Sequence, residues 1–155
     1  TRILANAGYK SWTHDVLDER DFDGFVGRLA ADWQATGKTT IRAAVWRDVS
    51  NLDDEISNFA VVQGVSVEPV WNITAKTSLT ALASYEQRDF QGGDDIDFDV
   101  SERTDDVTAF GLGLNWQPRR RIGLSLDYRS ETRDSNRRLR EYDYDFFQVR
   151  VNVGL

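Results

Sequence analysis

The chain has 155 residues, of which 40% are apolar and 29% charged, with a formal net charge of -7 and neither cysteine nor methionine. Without cysteine there is no disulfide framework and no thiolate chemistry, and no run reaches the roughly 18 apolar residues of a membrane-spanning helix. A mean hydropathy of -0.53 does not exclude membrane-spanning strands, whose apolar residues occupy every second position and leave the average low.

Eight stretches alternate in chain order. "ILANAGYK" offers Ile3, Ala5, Ala7 and Tyr9. "DGFVGRLAADWQ" sets Phe25, Gly27, Leu29, Ala31 and Trp33 against Val26, Arg28, Ala30 and Asp32. "KTTIRAAVWRD" opposes Ile41, Ala43 and Val45 to Arg42, Ala44, Trp46 and Asp48. "NFAVVQGVSVEPVW" runs Phe59, Val61, Val65, Val67 and Trp71 opposite Glu68, with Gln63 as an exception. "KTSLTALASYE" places Leu79, Ala81, Ala83 and Tyr85 on one side and Glu86 on the other. "TAFGLGLNW" sets Phe110, Leu112, Leu114 and Trp116 against Gly111, Gly113 and Asn115. "RIGLSLDYR" sets Ile122, Leu124, Leu126 and Tyr128 against Ser125, Asp127 and Arg129. "FFQVRVNVGL" sets Phe147, Val149, Val151, Val153 and Leu155 against Gln148, Arg150 and Asn152. A period of two is the signature of strands with one apolar and one polar face, and no 3.6-residue period is sustained anywhere. The pattern predicts an all-β fold, an antiparallel transmembrane β-barrel with eight up-and-down strands, as one domain over 1–155.

Aromatic residues stand at the ends of the apolar faces: Phe25 and Trp33, Phe110 and Trp116, then Trp71, Tyr85, Tyr128 and Phe147. Rings with a polar edge settle where headgroups meet hydrocarbon, so these eight read as aromatic girdles, whereas a soluble barrel would gather its aromatics inward. The connections alternate between short ("ATGK", "NITAK", "QPRR") and long, as periplasmic turns and outer loops do. That places both ends of the chain in the periplasm. The long segments 14–22, 48–58, 88–106 and 129–145 carry charges of -3, -4, -6 and 0, while the short turns hold Lys38, Lys76 and Arg119 to Arg121. The polar set Arg28, Asp32, Arg42, Asp48, Glu68, Glu86, Asp127, Arg129 and Arg150 is expected to face the lumen. There it would pair into a filled interior in a closed eight-stranded barrel or line a hydrated channel in a larger one.

Three stretches together, "DWQATGKTTIRAAVWRD", "VEPVWNITAKTSLTALASYEQRDFQG" and "LNWQPRRRIGLSLDYRSETRDSN", resemble the outer-membrane β-barrel family of exosortase-associated extracellular-polysaccharide operons, within the broader β-barrel porins. The resemblance runs from about Phe22 to Leu155. It implies a bacterial outer-membrane location and passive export of polysaccharide with periplasmic export partners, without enzymatic activity. Members are longer, so the chain is expected to be the carboxyl-terminal part of a larger barrel. The last strand resembles the signal read by the barrel-assembly machinery, with Phe147 as the upstream aromatic and Leu155 in place of the usual terminal Phe. The remaining implied partners are outer-membrane lipid and lipopolysaccharide.

Other chemistry is thinly supported. His14 is the single histidine; Ser11 and Asp15 are near it in sequence, but Ser11 alternates to the face of Tyr9, and a rim histidine without a role is the plainer reading. Such a triad would be needed for an acyl-chain hydrolase. Asp95, Asp97 and Asp99 alternate and Asp106 falls twelfth, yet the sixth position is Val100 where a calcium loop needs glycine. A solvated anionic loop, with loose divalent bridging to lipopolysaccharide phosphates at most, is the simpler account. Arg119 to Arg121 lack aromatic stacking partners and read as a turn rather than a nucleic-acid contact. No motif demands a metal or cofactor. A polysaccharide conduit leads the functional readings, and a small closed eight-stranded structural or adhesive barrel without a pore is the alternative.

Overall fold

The computed structural model describes residues 1–13, 22–51, 59–91, 103–137 and 139–154. These form one sheet of eight strands, β1 (Arg2–Trp12), β2 (Phe22–Gln34), β3 (Thr39–Asn51), β4 (Phe59–Thr74), β5 (Thr77–Gln91), β6 (Arg103–Arg119), β7 (Ile122–Ser135) and β8 (Tyr142–Val153). Each strand pairs antiparallel with its chain neighbours, in the order β1 to β8. Among the described residues no ladder joins β1 to β8, so the sheet has two open edges.

Alternation fixes the two faces. On β6 the odd positions Arg103, Asp105, Val107, Ala109 and Gly111 are buried, while Thr108, Phe110 and Leu112 are exposed. The inversion holds across the sheet: Phe25 is 74% and Val153 67% exposed, and Leu29, Trp33, Val45, Trp71, Trp116 and Val151 also lie open. A soluble sheet buries its apolar face and wets its polar one. Here the large apolar side chains form a continuous uncovered surface, far beyond the scattered apolar residues normal in a water-soluble monomer.

The strands run further at the loop ends than the sequence periodicity indicates. Segments 88–106 and 129–145, read as loops, supply the last turns of ladder of β5, most of the outer half of β7, and the starts of β6 and β8. Polar residues disguise them: Arg129, Glu131 and Arg133 alternate on one face, and Thr132 Oγ1 donates to Asp143 Oδ1 across β7–β8 at 2.9 Å. Tyr85, Tyr128 and Phe147 therefore stand within their strands rather than at the ends.

Phe59 and Val61 also depart from expectation. The β2–β3 ladder stops at Gly27–Arg47, and beyond it Phe22 of β2 packs with Val49, Phe59 and Val61 in a small buried cluster supported by Val26. Phe22 and Phe59 meet edge to face, centroids 5.4 Å apart. Where the two hairpins part, the gap between them is closed by apolar side chains from both.

The register carries the tilt. The ladder row through Phe147, Tyr128, Leu112 and Ala81 continues through Pro69 and Ile41 to Trp33. The loop-end aromatic line from Phe25 to Phe147 thus drops by eight residues, Phe25 to Trp33, over the six strand steps from β2 to β8. With a rise of about 3.3 Å per residue and about 4.8 Å between strands, that stagger corresponds to a strand tilt of roughly 40°, the tilt of outer-membrane barrels. Gln63 ceases to be an exception on this line. With Arg47 it occupies the place the line crosses on β3 and β4, and it bonds to Arg47 and to Gln87.

Candidate functional site: the polar face and its two rims

Ladder pairing puts Arg28, Asp32, Arg42, Asp48, Glu68, Glu86, Asp127, Arg129 and Arg150 on one face of the sheet. It puts Phe25, Trp33, Trp71, Tyr85, Phe110, Trp116, Tyr128 and Phe147 on the other. The charges do not merge into one network. Asp32, Arg42 and Glu68 share a ladder row, in which Arg42 Nη1 lies 2.5 Å from Glu68 Oε1. Asp48 meets Lys10 Nζ at 2.6 Å, Glu86 meets Arg88 at 2.7 Å, and Arg129 meets Glu131 at 2.8 Å. Arg150 Nη2 donates to Gln148 Oε1 at 3.1 Å, and Gln148 stands opposite Asp127. Arg28 lies over the Trp46 ring, 5.3 Å from its centroid. Trp46 in turn lies across Gly64, where a Cβ would collide with the Trp46 ring.

The face also holds a cluster that sequence reasoning missed. Asp105 is wholly buried. It accepts hydrogen bonds from Arg103 (3.1 and 2.5 Å), from Ser135 Oγ (2.5 Å) and from Arg133. Arg103 packs over the Phe90 ring at 3.8 Å. The cluster stands beyond Phe110, outside the spanning part of β6. Burial alone would raise the Asp105 carboxyl, but the bonds from Arg103, Ser135 and Arg133 outweigh it and hold the group at about 2. Its sequence signal was the alternation Arg103, Asp105, Val107, hidden inside a segment read as a loop.

Each rim has its own repeated device. At the turn end, the N–H of a following strand donates to a basic turn residue: Asn72 to Lys38 O at 2.7 Å, Gln117 to Lys76 O at 2.8 Å, Gly154 to Arg121 O at 2.8 Å. The lysine side chains reach forward as well, Lys38 Nζ to Ile73 O at 3.3 Å and Lys76 Nζ to Pro118 O at 2.8 Å. The basic turn residues, Arg121 of the 119–121 run included, are thus fasteners between neighbouring hairpins. At the loop end, tyrosines of the apolar face donate to aspartates one strand on: Tyr9 to Asp23, Tyr85 to Asp106 at 2.6 Å, Tyr128 to Asp145 at 2.8 Å. His14, Asp15, Asp95, Asp97, Asp99, Val100 and Leu155 lie outside the described residues.

The profile of the family described as "Putative beta-barrel porin 2" matches residues 5–155. Among solved structures the chain is similar to Ail, the attachment invasion locus protein of Yersinia pestis, at 14% identity over 96% of this chain and 91% of that one, with a TM-score of 0.36. The comparison with curated proteins gives no match.

Proposed function

The chain belongs to the Putative beta-barrel porin 2 family, and from that premise we propose that it forms wall of a hydrated conduit through which extracellular polysaccharide leaves the cell. It is an all-β, up-and-down barrel chain of the bacterial outer membrane. The observation that carries the conduit reading is the wetness of the polar face on β3: the side chains of Asp48 and Arg42 are 64% and 56% exposed even though both are ion-paired, in contrast to the dry cluster around Asp105 beyond the spanning part. A filled interior would hold such pairs dry and interlocked. Charges of both signs spread over a wetted wall suit a lumen through which a polymer slides without being held. Among the inward aromatics, the Trp46 ring is tucked against Gly64, whereas Phe146 is exposed and stacks on Tyr144, centroids 6.3 Å apart, towards the loop end.

The open edges of β1 and β8 support a wall that continues through further strands, because unpaired backbone groups in hydrocarbon cost several kcal/mol each. The apolar face then meets lipid, with lipopolysaccharide at the loop rim. The polysaccharide assignment rests on the resemblance carried by "DWQATGKTT" and "RSETRDSN". Single-channel recording of the full-length protein in planar bilayers tests the conduit: ohmic steps are expected, and Asp127→Arg with Arg150→Glu should shift ion selectivity without preventing assembly. Electrical silence overturns the conduit. A deletion strain should trap polymer in the periplasm, and normal secretion by that strain overturns the export role.

A further inference from the structure

We propose that the turn end of the polar face carries a binding shelf for acidic polysaccharide, built from Asn72, Ser78, Asn115 and Ser125 with Arg120 and Arg121 beside them. The shelf takes its place in the membrane from the conduit reading, while its chemistry stands on the residues themselves. Asn72, Ser78, Asn115 and Ser125 occupy one ladder row across β4 to β7, and the row ends at Arg150 on β8. Neighbouring strands lie about 4.8 Å apart, so the row presents a hydrogen-bonding group at intervals on the scale of one sugar ring.

These side chains line a cavity of about 510 Å³ together with Gln117, Asn152, Lys76, Arg120 and Arg121. Ligand sites commonly have that size. No carboxylate lines it, whereas carboxylates are frequent elsewhere on the same face. The row is preset as well. Ser125 Oγ donates to Asn115 Oδ1 at 2.7 Å, which leaves the Asn115 amide hydrogens to donate and the Ser125 oxygen to accept. A donor beside an acceptor is what adjacent sugar hydroxyls satisfy. Trp116, Ile122 and Leu124 also border the cavity, but they belong by alternation to the opposite face of the sheet, so the ladder row itself offers hydrogen bonds and cations.

The ligand is therefore hydroxyl-rich and anionic. Electrostatics along the conduit agrees: cations gather at the turn end, and the segments 14–22, 48–58 and 88–106 at the loop end carry -3, -4 and -6. A polyanion is drawn in at one rim and repelled at the other.

The test is calorimetric titration of the full-length protein in detergent micelles with oligogalacturonate, maltohexaose and polyphosphate, beside conductance of the same preparations. Oligogalacturonate should bind more tightly than both others. Arg120→Gln with Arg121→Gln should weaken it about fivefold, and Asn115→Ala about threefold, with circular dichroism unchanged. Equal binding of polyphosphate reduces the shelf to bare charge and overturns the proposal. So does equal binding of maltohexaose, or indifference to the substitutions. Selective binding without conductance keeps the shelf and sinks the conduit; conductance without selective binding does the reverse.

Discussion

The two rims of the sheet solve one problem with opposite chemistry. Both tie adjacent strands together, the turn rim just past the last ladder pairs and the loop rim beside ladder pairs that run on beyond it. The turn rim does it between hairpins, with main-chain carbonyls of Lys38, Lys76 and Arg121 as acceptors. The loop rim does it within hairpins, with the carboxylates of Asp23, Asp106 and Asp145 accepting from tyrosines, and with Asp105 gripped by two arginines. A carbonyl does not titrate and a carboxylate does. The rims should therefore respond differently to acid, to salt and to substitution, while the apolar wall between them sets the scale for both.

That wall gives the largest effect. Leu126→Arg, in the middle of the apolar band, should cost about 2–4 kcal/mol of folding stability in vesicles, and Ser125→Arg on the polar face far less. Equal costs would mean that the two faces are not differently solvated, and the comparison of rims would lose its frame. Next comes Asp105→Asn, expected to cost about 3 kcal/mol because two arginines are left without their buried counter-charge. Denaturant titration should show the loss, and a neutral result would make the loop rim dispensable.

Acid should reproduce part of that loss. The folded Asp105 group, at about 2, lies below its ordinary value of 3.8. The depressed value means its stabilisation is complete above the ordinary value and disappears as pH falls from there through about 2. Hydrogen exchange measured across that window should quicken at Arg103 to Asp106 and Arg133 to Ser135 while Asn72, Gln117 and Gly154 stay protected. Simultaneous loosening at both rims would contradict the contrast. Lys76→Met removes one bond to Pro118 O and should cost about 1 kcal/mol, insensitive to pH across the same range. Smallest is Tyr85→Phe, which deletes one exposed phenol bond to Asp106 and should register as faster local exchange with the midpoint of unfolding barely moved.

Much of this was legible in the chain. "TAFGLGLNW" and "RIGLSLDYR" state both faces of β6 and β7 outright, because apolar residues alternate without interruption with small or polar ones. The outer extensions were not, since Arg129, Glu131 and Arg133 obey the same period with charges on one face and polar residues on the other, and apolar periodicity is blind to them. Phe59 and Val61 kept their parity yet became buried, because hairpin separation is set by where the β2–β3 ladder ends. The basic turns showed in composition, but their fastening role lies in main-chain bonds between residues 33 to 41 positions apart. No local pattern encodes those.

Those fasteners also give the wall a direction. Each turn bonds to the strand beyond its own hairpin: the turn at Lys38 to β4, the turn at Lys76 to β6, and the turn at Arg121 to the end of β8. The first two hairpins hold their own turns through Thr36 and Thr74, and the successor adds a second hold from outside. The rim is therefore joined in one sense along the chain, each turn tied to the strand that follows its hairpin, so that loosening one strand at this end also releases the turn before it.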